Sequence, residues 1–339
     1  MDEIHTNRRR DIRVKLVGQQ GMPALTGQCC MAFGPTVHYE RMTTTEPDLD
    51  PRPLIGALTH SPVQVGSPER WTMYVSHYDG HVRRLVVFIH GFIGQTVKTW
   101  LDFPSIDPTR PENVWWLESD LLFAGYESTK DTITGVAHRV REHLEEFYPN
   151  PARQLLVVNG HQARADVASR YDDLVLVGHS LGGVILRRAL SDAAQVWVDE
   201  GRPPSRPILL DARNCMFSPA SAGFRAGGFL GLLRAVPLWS GIEMVLRRSS
   251  AYTDLQPGSV VLDEIKRRTI SFAPNQDPDF AALRANIAWA SPDNVVYSER
   301  YETDFVDQSW DNTDHQSVCK PRAVLYNRPW AFVRTGGDG

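Results

Sequence analysis

Cysteine is scarce in this chain: four residues in 339, at Cys29, Cys30, Cys215 and Cys319, with no C-x-x-C pair. That is too few for a disulfide scaffold and the wrong spacing for a zinc site, so reduced thiols in a cytoplasmic protein are expected. An excess of positive charge is also missing. Lys and Arg number 36 against 40 Asp and Glu, a formal net charge of −4, which removes the bulk attraction that nucleic acid or an anionic membrane surface would need. No H-E-x-x-H or comparable ligand spacing occurs, and neither a metal nor another cofactor is expected. Long apolar runs are absent too. The most apolar stretch, residues 227–246, has about the length of a membrane span but is broken by Arg234, Pro237 and Glu243. The charged start MDEIHTNRRR has no apolar h-region, so no secretory signal is expected.

What is present suffices for a large core, with 42% apolar and 22% charged residues. Ile12, Val14 and Leu16, and again Trp71, Met73 and Val75, alternate with their neighbours as in strands. Residues 84–89 (RLVVFI) and 174–177 (LVLV) are apolar on both faces, the pattern of interior strands in a covered sheet. Ile133, Val136, Val140 and Leu144 recur at helical spacing, as do Leu186, Leu190, Ala193 and Trp197. Further apolar runs lie at 214–217 and 287–290. Buried strands alternating with amphipathic helices predict a mostly parallel sheet with helices on both faces.

The second interior strand runs into Gly178-x-Ser180-x-Gly182 and then a helix. A serine on so sharp a strand-to-helix turn has a strained backbone, and side chains two residues to either side would collide unless both are glycine. The string alone is weak, arising by accident about 0.1 times in a chain of this length. Its position between a Val/Leu strand and an amphipathic helix gives it meaning, and Ser180 is expected as a nucleophile. The first interior strand ends in His90-Gly91-Phe92, where backbone N–H groups can be presented. The N–H groups of Phe92 and Leu181 are the expected oxyanion hole. In this architecture the acid and then the histidine follow the serine along the chain. Of eleven histidines only His315 lies beyond Ser180, which makes it the expected base. His90 is read as structural. For the acid, Asp293 follows the run 287–290 and the Ser291-Pro292 break, with Asp304 as second choice.

On these residues the chain resembles the α/β-hydrolase superfamily over roughly residues 84–321, and within it the serine-active-site-containing and GPI-inositol-deacylase-like lipases and esterases. The matching segments are VVFIHGF at 86–92 with Thr99-Trp100, VGHSLGGV at 177–184, and DHQSVCKP at 314–321. The resemblance implies ester hydrolysis without a metal, Ser180 as nucleophile, His315 as base, and a packing role for Cys319 and Lys320. The sequence departs from that group where the acid follows Ser-Pro rather than a glycine-bearing strand end.

The expected organisation is a tail at 1–11, a single hydrolase domain at 12–334 and a tail at 335–339. Within the domain, an N-terminal β-containing extension covers about 12–80 and a cap or lid about 218–285. The apolar residues of 224–246 would either line an acyl pocket or complete the core. The expected substrate is a small-molecule or lipid ester. An acyltransferase or amidase would use the same residues, and a non-catalytic binding module on the same fold is a further alternative.

Overall fold

The fold is described here for residues 59–65, 70–165, 170–225, 227–228, 250–272, 277–305, 307–322 and 325–337 of a computed structural model. The strand expected at 12–16, Cys29 and Cys30, and the apolar residues 229–249 lie outside the described residues. Eight strands form one sheet: β1 (His60–Gln64), β2 (Thr72–Ser76), β3 (Arg84–Ile89), β4 (Ser119–Ala124), β5 (Asp173–His179), β6 (Arg213–Phe217), β7 (Ala285–Ser291) and β8 (Gln308–Asp311). Their spatial order is β1-β2-β4-β3-β5-β6-β7-β8. The pairs β1/β2 and β2/β4 are antiparallel, and every pairing from β4 to β8 is parallel.

Side-chain alternation sorts the sheet into two cores. Leu85, Val87, Ile89, Leu174, Leu176, Met216 and Ile287 face one, while Val86, Phe88, Val175, Val177, Cys215 and Phe217 face the other. Because both faces are covered, these strands are apolar throughout, as their sequences anticipate. The first face is covered by helices α2 (Ile133–Leu144), α3 (Leu181–Asp199) and α5 (Val260–Phe272). The second is covered by α1 (Val114–Leu117) and α6 (Arg328–Thr335), with Trp100, Phe103, Trp116 and Trp330 packed between. The short helix α4 (Ser250–Asp254) precedes α5. Thr132 caps α2 by accepting from the Gly135 N–H at 2.9 Å, a bond whose loss costs about 1 kcal/mol.

Of the stretch expected as a lid, residues 250–272 form α4 and α5. Helix α5 is fastened to α3 by Arg188–Glu264 and Arg268–Asp192 ion pairs, with Leu262 and Ile265 buried beneath. No helix among the described residues is long and apolar enough to cross a membrane.

Parallel strands send their C-terminal ends to one edge of the sheet, and such an edge is where open α/β sheets place ligands. Strand β3 leads there into His90-Gly91-Phe92, β5 into Ser180, β7 into Asp293 and β8 into His315. Register sets the first two side by side, since Ile89 pairs with Gly178.

Candidate active site

Ser180 has φ 53° and ψ −118°, a left-handed backbone at the junction of β5 and α3. A non-glycine residue is held there only by its surroundings. Its N–H donates to the Phe217 carbonyl at 3.1 Å, and its own carbonyl accepts from the Gly183 and Ala220 N–H groups, each at 3.1 Å. The two glycines do what their spacing demands. A Cβ on Gly182 would overlap the Ile89 carbonyl, and one on Gly178 would lie 2.7 Å from the Gly183 backbone. Gly91 also approaches closely, because a Cβ there would stand 2.9 Å from that of Ser180.

His315 is buried, with Nε2 2.9 Å from Ser180 Oγ and Nδ1 2.9 Å from Asp293 Oδ2. The Asp293 carboxylate is fully buried, and its Oδ1 accepts from the N–H groups of Val295 at 2.9 Å and Val296 at 3.1 Å. Burial pushes its pKa up, but the hydrogen bond and charge of His315 and the two N–H donors overcome this and hold it at about 2. Asp304 lies elsewhere: both its oxygens bond Arg187 on α3, at 3.1 and 2.6 Å, and it accepts from the N–H groups of Ala285 and Tyr301. Arg187 also stacks its guanidinium 3.9 Å over the Tyr301 ring. This buried pair ties α3 to the segment between β7 and β8.

His90 stacks on Tyr126 at 4.3 Å, and the Tyr126 hydroxyl donates to the His90 carbonyl at 2.8 Å. Its Nδ1 meets the Gly91 carbonyl at 2.8 Å, and burial lowers its pKa to about 4. The ring thus braces the segment carrying the Phe92 N–H. The Ile93 N–H adds a bond to Ser128 Oγ at 2.8 Å, and that of Gly94 one to Gly91 at 3.0 Å.

Sequence reasoning overlooked His179. Its Nε2 donates to the carbonyl of His315 at 2.7 Å, so the residue before the serine holds the segment carrying the histidine. Burial and the charge of His315 push its pKa down to about 3, leaving a neutral ring. Its place in the motif is the sort of signal that points to a turn residue, with nothing to indicate a partner 136 positions away. Cys319 is buried with its Sγ 3.9 Å from the Thr99 carbonyl, and burial pushes its thiol up to about 12, a state without thiolate reactivity.

Above Ser180 lies a cleft of about 240 Å³. Phe92, Ile93 and Phe224 give it an apolar wall, with Phe92 and Phe224 edge to face at 6.4 Å. Gln95, Lys98, Thr99, Gln316 and Lys320 supply its polar side. Among the described residues no group of three or more His, Cys, Asp or Glu side chains is arranged to hold a metal.

The strand order, the single antiparallel excursion at β2 and the strained serine after β5 are those of the α/β-hydrolase fold. Solved structures similar to it include the peroxisomal α/β-hydrolase Lpx1 from Saccharomyces cerevisiae, at 12% identity over 78% of this chain and 80% of that one, with TM-score 0.39. MGS-MChE2, an α/β hydrolase enzyme from the sediment metagenome of the Mar Chica lagoon in Morocco, is 13% identical over 80% and 94%, with TM-score 0.44. Esterase B from Lactobacillus rhamnosis is 12% identical over 81% and 84%, with TM-score 0.43. No family model matches the chain. No curated protein matches it either.

Proposed function

We propose that the protein is a serine hydrolase that cleaves carboxylic esters through an acyl-enzyme on Ser180. The observation that carries this reading is the chain of contacts from Ser180 Oγ through His315 to Asp293, 2.9 Å at each step, on a serine whose backbone is held at positive φ. His315 Nε2 takes the Ser180 proton as Oγ attacks the ester carbonyl. Asp293 fixes the Nδ1–H tautomer and stabilises the imidazolium without itself taking the proton. The negative charge that forms on the carbonyl oxygen is met by the N–H groups of Phe92 and Leu181, aided by the positive end of α3. The alcohol leaves with the proton from His315. Water then gives a proton to the same nitrogen and attacks the acyl carbon, which releases the acid and restores Ser180.

A chain-length series of p-nitrophenyl esters tests the reading. Wild type is expected to hydrolyse at least the short members, and Ser180→Ala to lose nearly all of that rate. Equal turnover by the two proteins would reject it.

A further inference from the structure

The Asp293 carboxylate is held on one side by backbone alone: its Oδ1 accepts from the N–H groups of Val295 at 2.9 Å and Val296 at 3.1 Å. Such donors can aim a carboxylate only if their own backbone is fixed. What fixes it comes from a distant segment. The Val295 carbonyl accepts from the Arg225 backbone N–H at 2.8 Å, and the Val296 carbonyl accepts from Arg225 Nε at 2.9 Å, across 71 positions of sequence. The guanidinium then lies 4.8 Å over the Tyr297 ring. Val295 and Val296 are therefore each held between the Asp293 carboxylate and Arg225. The peptide that joins them takes a bond at its carbonyl from Arg225 and gives one at its N–H to Asp293, and bonds arranged in series polarise and strengthen one another.

The neighbours of Arg225 run against the same loop. Phe224, part of the apolar wall of the cleft, forms an antiparallel bridge with Val296, and the Tyr297 N–H donates to the Gly223 carbonyl at 3.2 Å. A Cβ on Gly228 would overlap the Asn294 carbonyl. Any residue at 225 would supply the backbone bond to Val295. The bond to Val296 belongs to the arginine side chain, whose Nε–H is a permanent donor and whose flat guanidinium can stack on an aromatic ring at the same time. We infer that Arg225 is a positioning residue for the acid of the reaction proposed above, a reading on which this inference rests. By bonding Val296 it fixes the direction of that residue's N–H, keeps Asp293 Oδ1 in the grip of both donors, and so leaves Oδ2 aimed at His315 Nδ1.

Two substitutions separate the donor from the rest of the side chain. Arg225→Met keeps an unbranched chain without the N–H, whereas Arg225→Gln places an amide N–H the same number of bonds from the backbone. Arg225 is exposed, so both proteins are expected to fold. With p-nitrophenyl butyrate, and with the Ser180→Ala rate subtracted, Arg225→Met should lower kcat roughly tenfold with KM changed by about twofold or less, and Arg225→Gln should recover most of the loss. A double-mutant cycle shows whether the effect passes through the acid. Added to Asp293→Asn, Arg225→Met should cost about twofold or less, because the carboxylate it serves is already gone. A full tenfold loss in that background, or a wild-type kcat in Arg225→Met, overturns the inference. So does a lower midpoint of thermal unfolding with kcat unchanged, which would make Arg225 a fastening of the fold alone. The Nδ1–H proton resonance of His315 in protein labelled with ¹⁵N-histidine reads the same contact without turnover. It should lie at low field in wild type, be lost in Asp293→Asn, and move upfield with faster exchange in Arg225→Met; an unchanged resonance in Arg225→Met overturns the inference. If wild type cleaves no ester, the hydrolase reading fails while the resonance still decides whether Arg225 holds Asp293 on His315.

Discussion

The imidazole of His179 donates from Nε2 to the backbone carbonyl of His315 at 2.7 Å, and the two rings lie 5.0 Å apart. The strand that delivers the serine therefore also fixes the loop that delivers the histidine, and the Ser180–His315 distance is set by one buried bond as well as by the β8 loop.

Removing that donor while keeping the ring volume, as in His179→Phe, leaves the His315 carbonyl buried and unpaired. Such a loss costs about 1–3 kcal/mol. The expected result is a kcat 10- to 100-fold lower with KM little changed, and partial recovery in His179→Gln, whose amide N–H can replace the donor. Steady-state kinetics on a p-nitrophenyl ester, read beside thermal unfolding, check this. Equal kcat in His179→Phe would reduce the contact to packing.

Asp293 and Asp304 separate by what their loss does. Asp293→Asn should fold normally and lose roughly 10⁴-fold in kcat, as when a histidine is held in the wrong tautomer. Asp304→Asn leaves Arg187 buried and uncompensated, so it should lose about 3–5 kcal/mol of stability. Its activity loss should follow unfolding rather than chemistry. Urea titrations and kcat measured on both variants decide, and the reverse pattern would exchange their roles.

Stability should fall on acidification through the histidine range. His90 and His179 have folded pKa values of about 4 and about 3, pushed down by burial first. Their unfolded values lie near 6.5. Below about 6.5 the unfolded chain therefore binds protons that the folded chain refuses. The stabilisation is complete above that pH and is lost progressively toward about 4 for His90 and about 3 for His179. Between pH 7.5 and 5.5 each residue should remove about 1.4 kcal/mol from the unfolding free energy. Urea unfolding followed by tryptophan fluorescence at the two pH values measures it, with a smaller change in His90→Gln. A flat profile would contradict the burial argument.

The interior strands β3, β5, β6 and β7 were legible because a sheet covered on both faces needs apolar side chains at every position, and such runs stand out. Strands β1 and β8 were not, since edge strands carry exposed polar residues such as Gln64 and Ser309. Strand β4 escaped because it opens with Ser119 and Asp120, a buried carboxylate whose Arg164 partner lies 44 residues away. In the site, the elbow was readable because sterics demand glycine at two fixed offsets. The turn carrying Phe92 was readable from its glycine at the end of an interior strand. The sequence put Asp293 ahead of Asp304 on its place after the 287–290 run, but the contacts of the two carboxylates, Asp293 with His315 and Asp304 with Arg187, are visible only in three dimensions. His179, Phe224 and Lys320 carry no local signal, because what matters about each is a neighbour far away in the chain.

Labelling with a fluorophosphonate tests the central claim most directly, since the reagent forms an O–P bond with an activated serine as fluoride leaves. Intact-mass and peptide analysis should find one adduct, on Ser180 in wild type, with none in Ser180→Ala and labelling slowed by orders of magnitude in His315→Ala. Labelling that persists in Ser180→Ala, or a wild type inert to the reagent, would contradict Ser180 as the nucleophile.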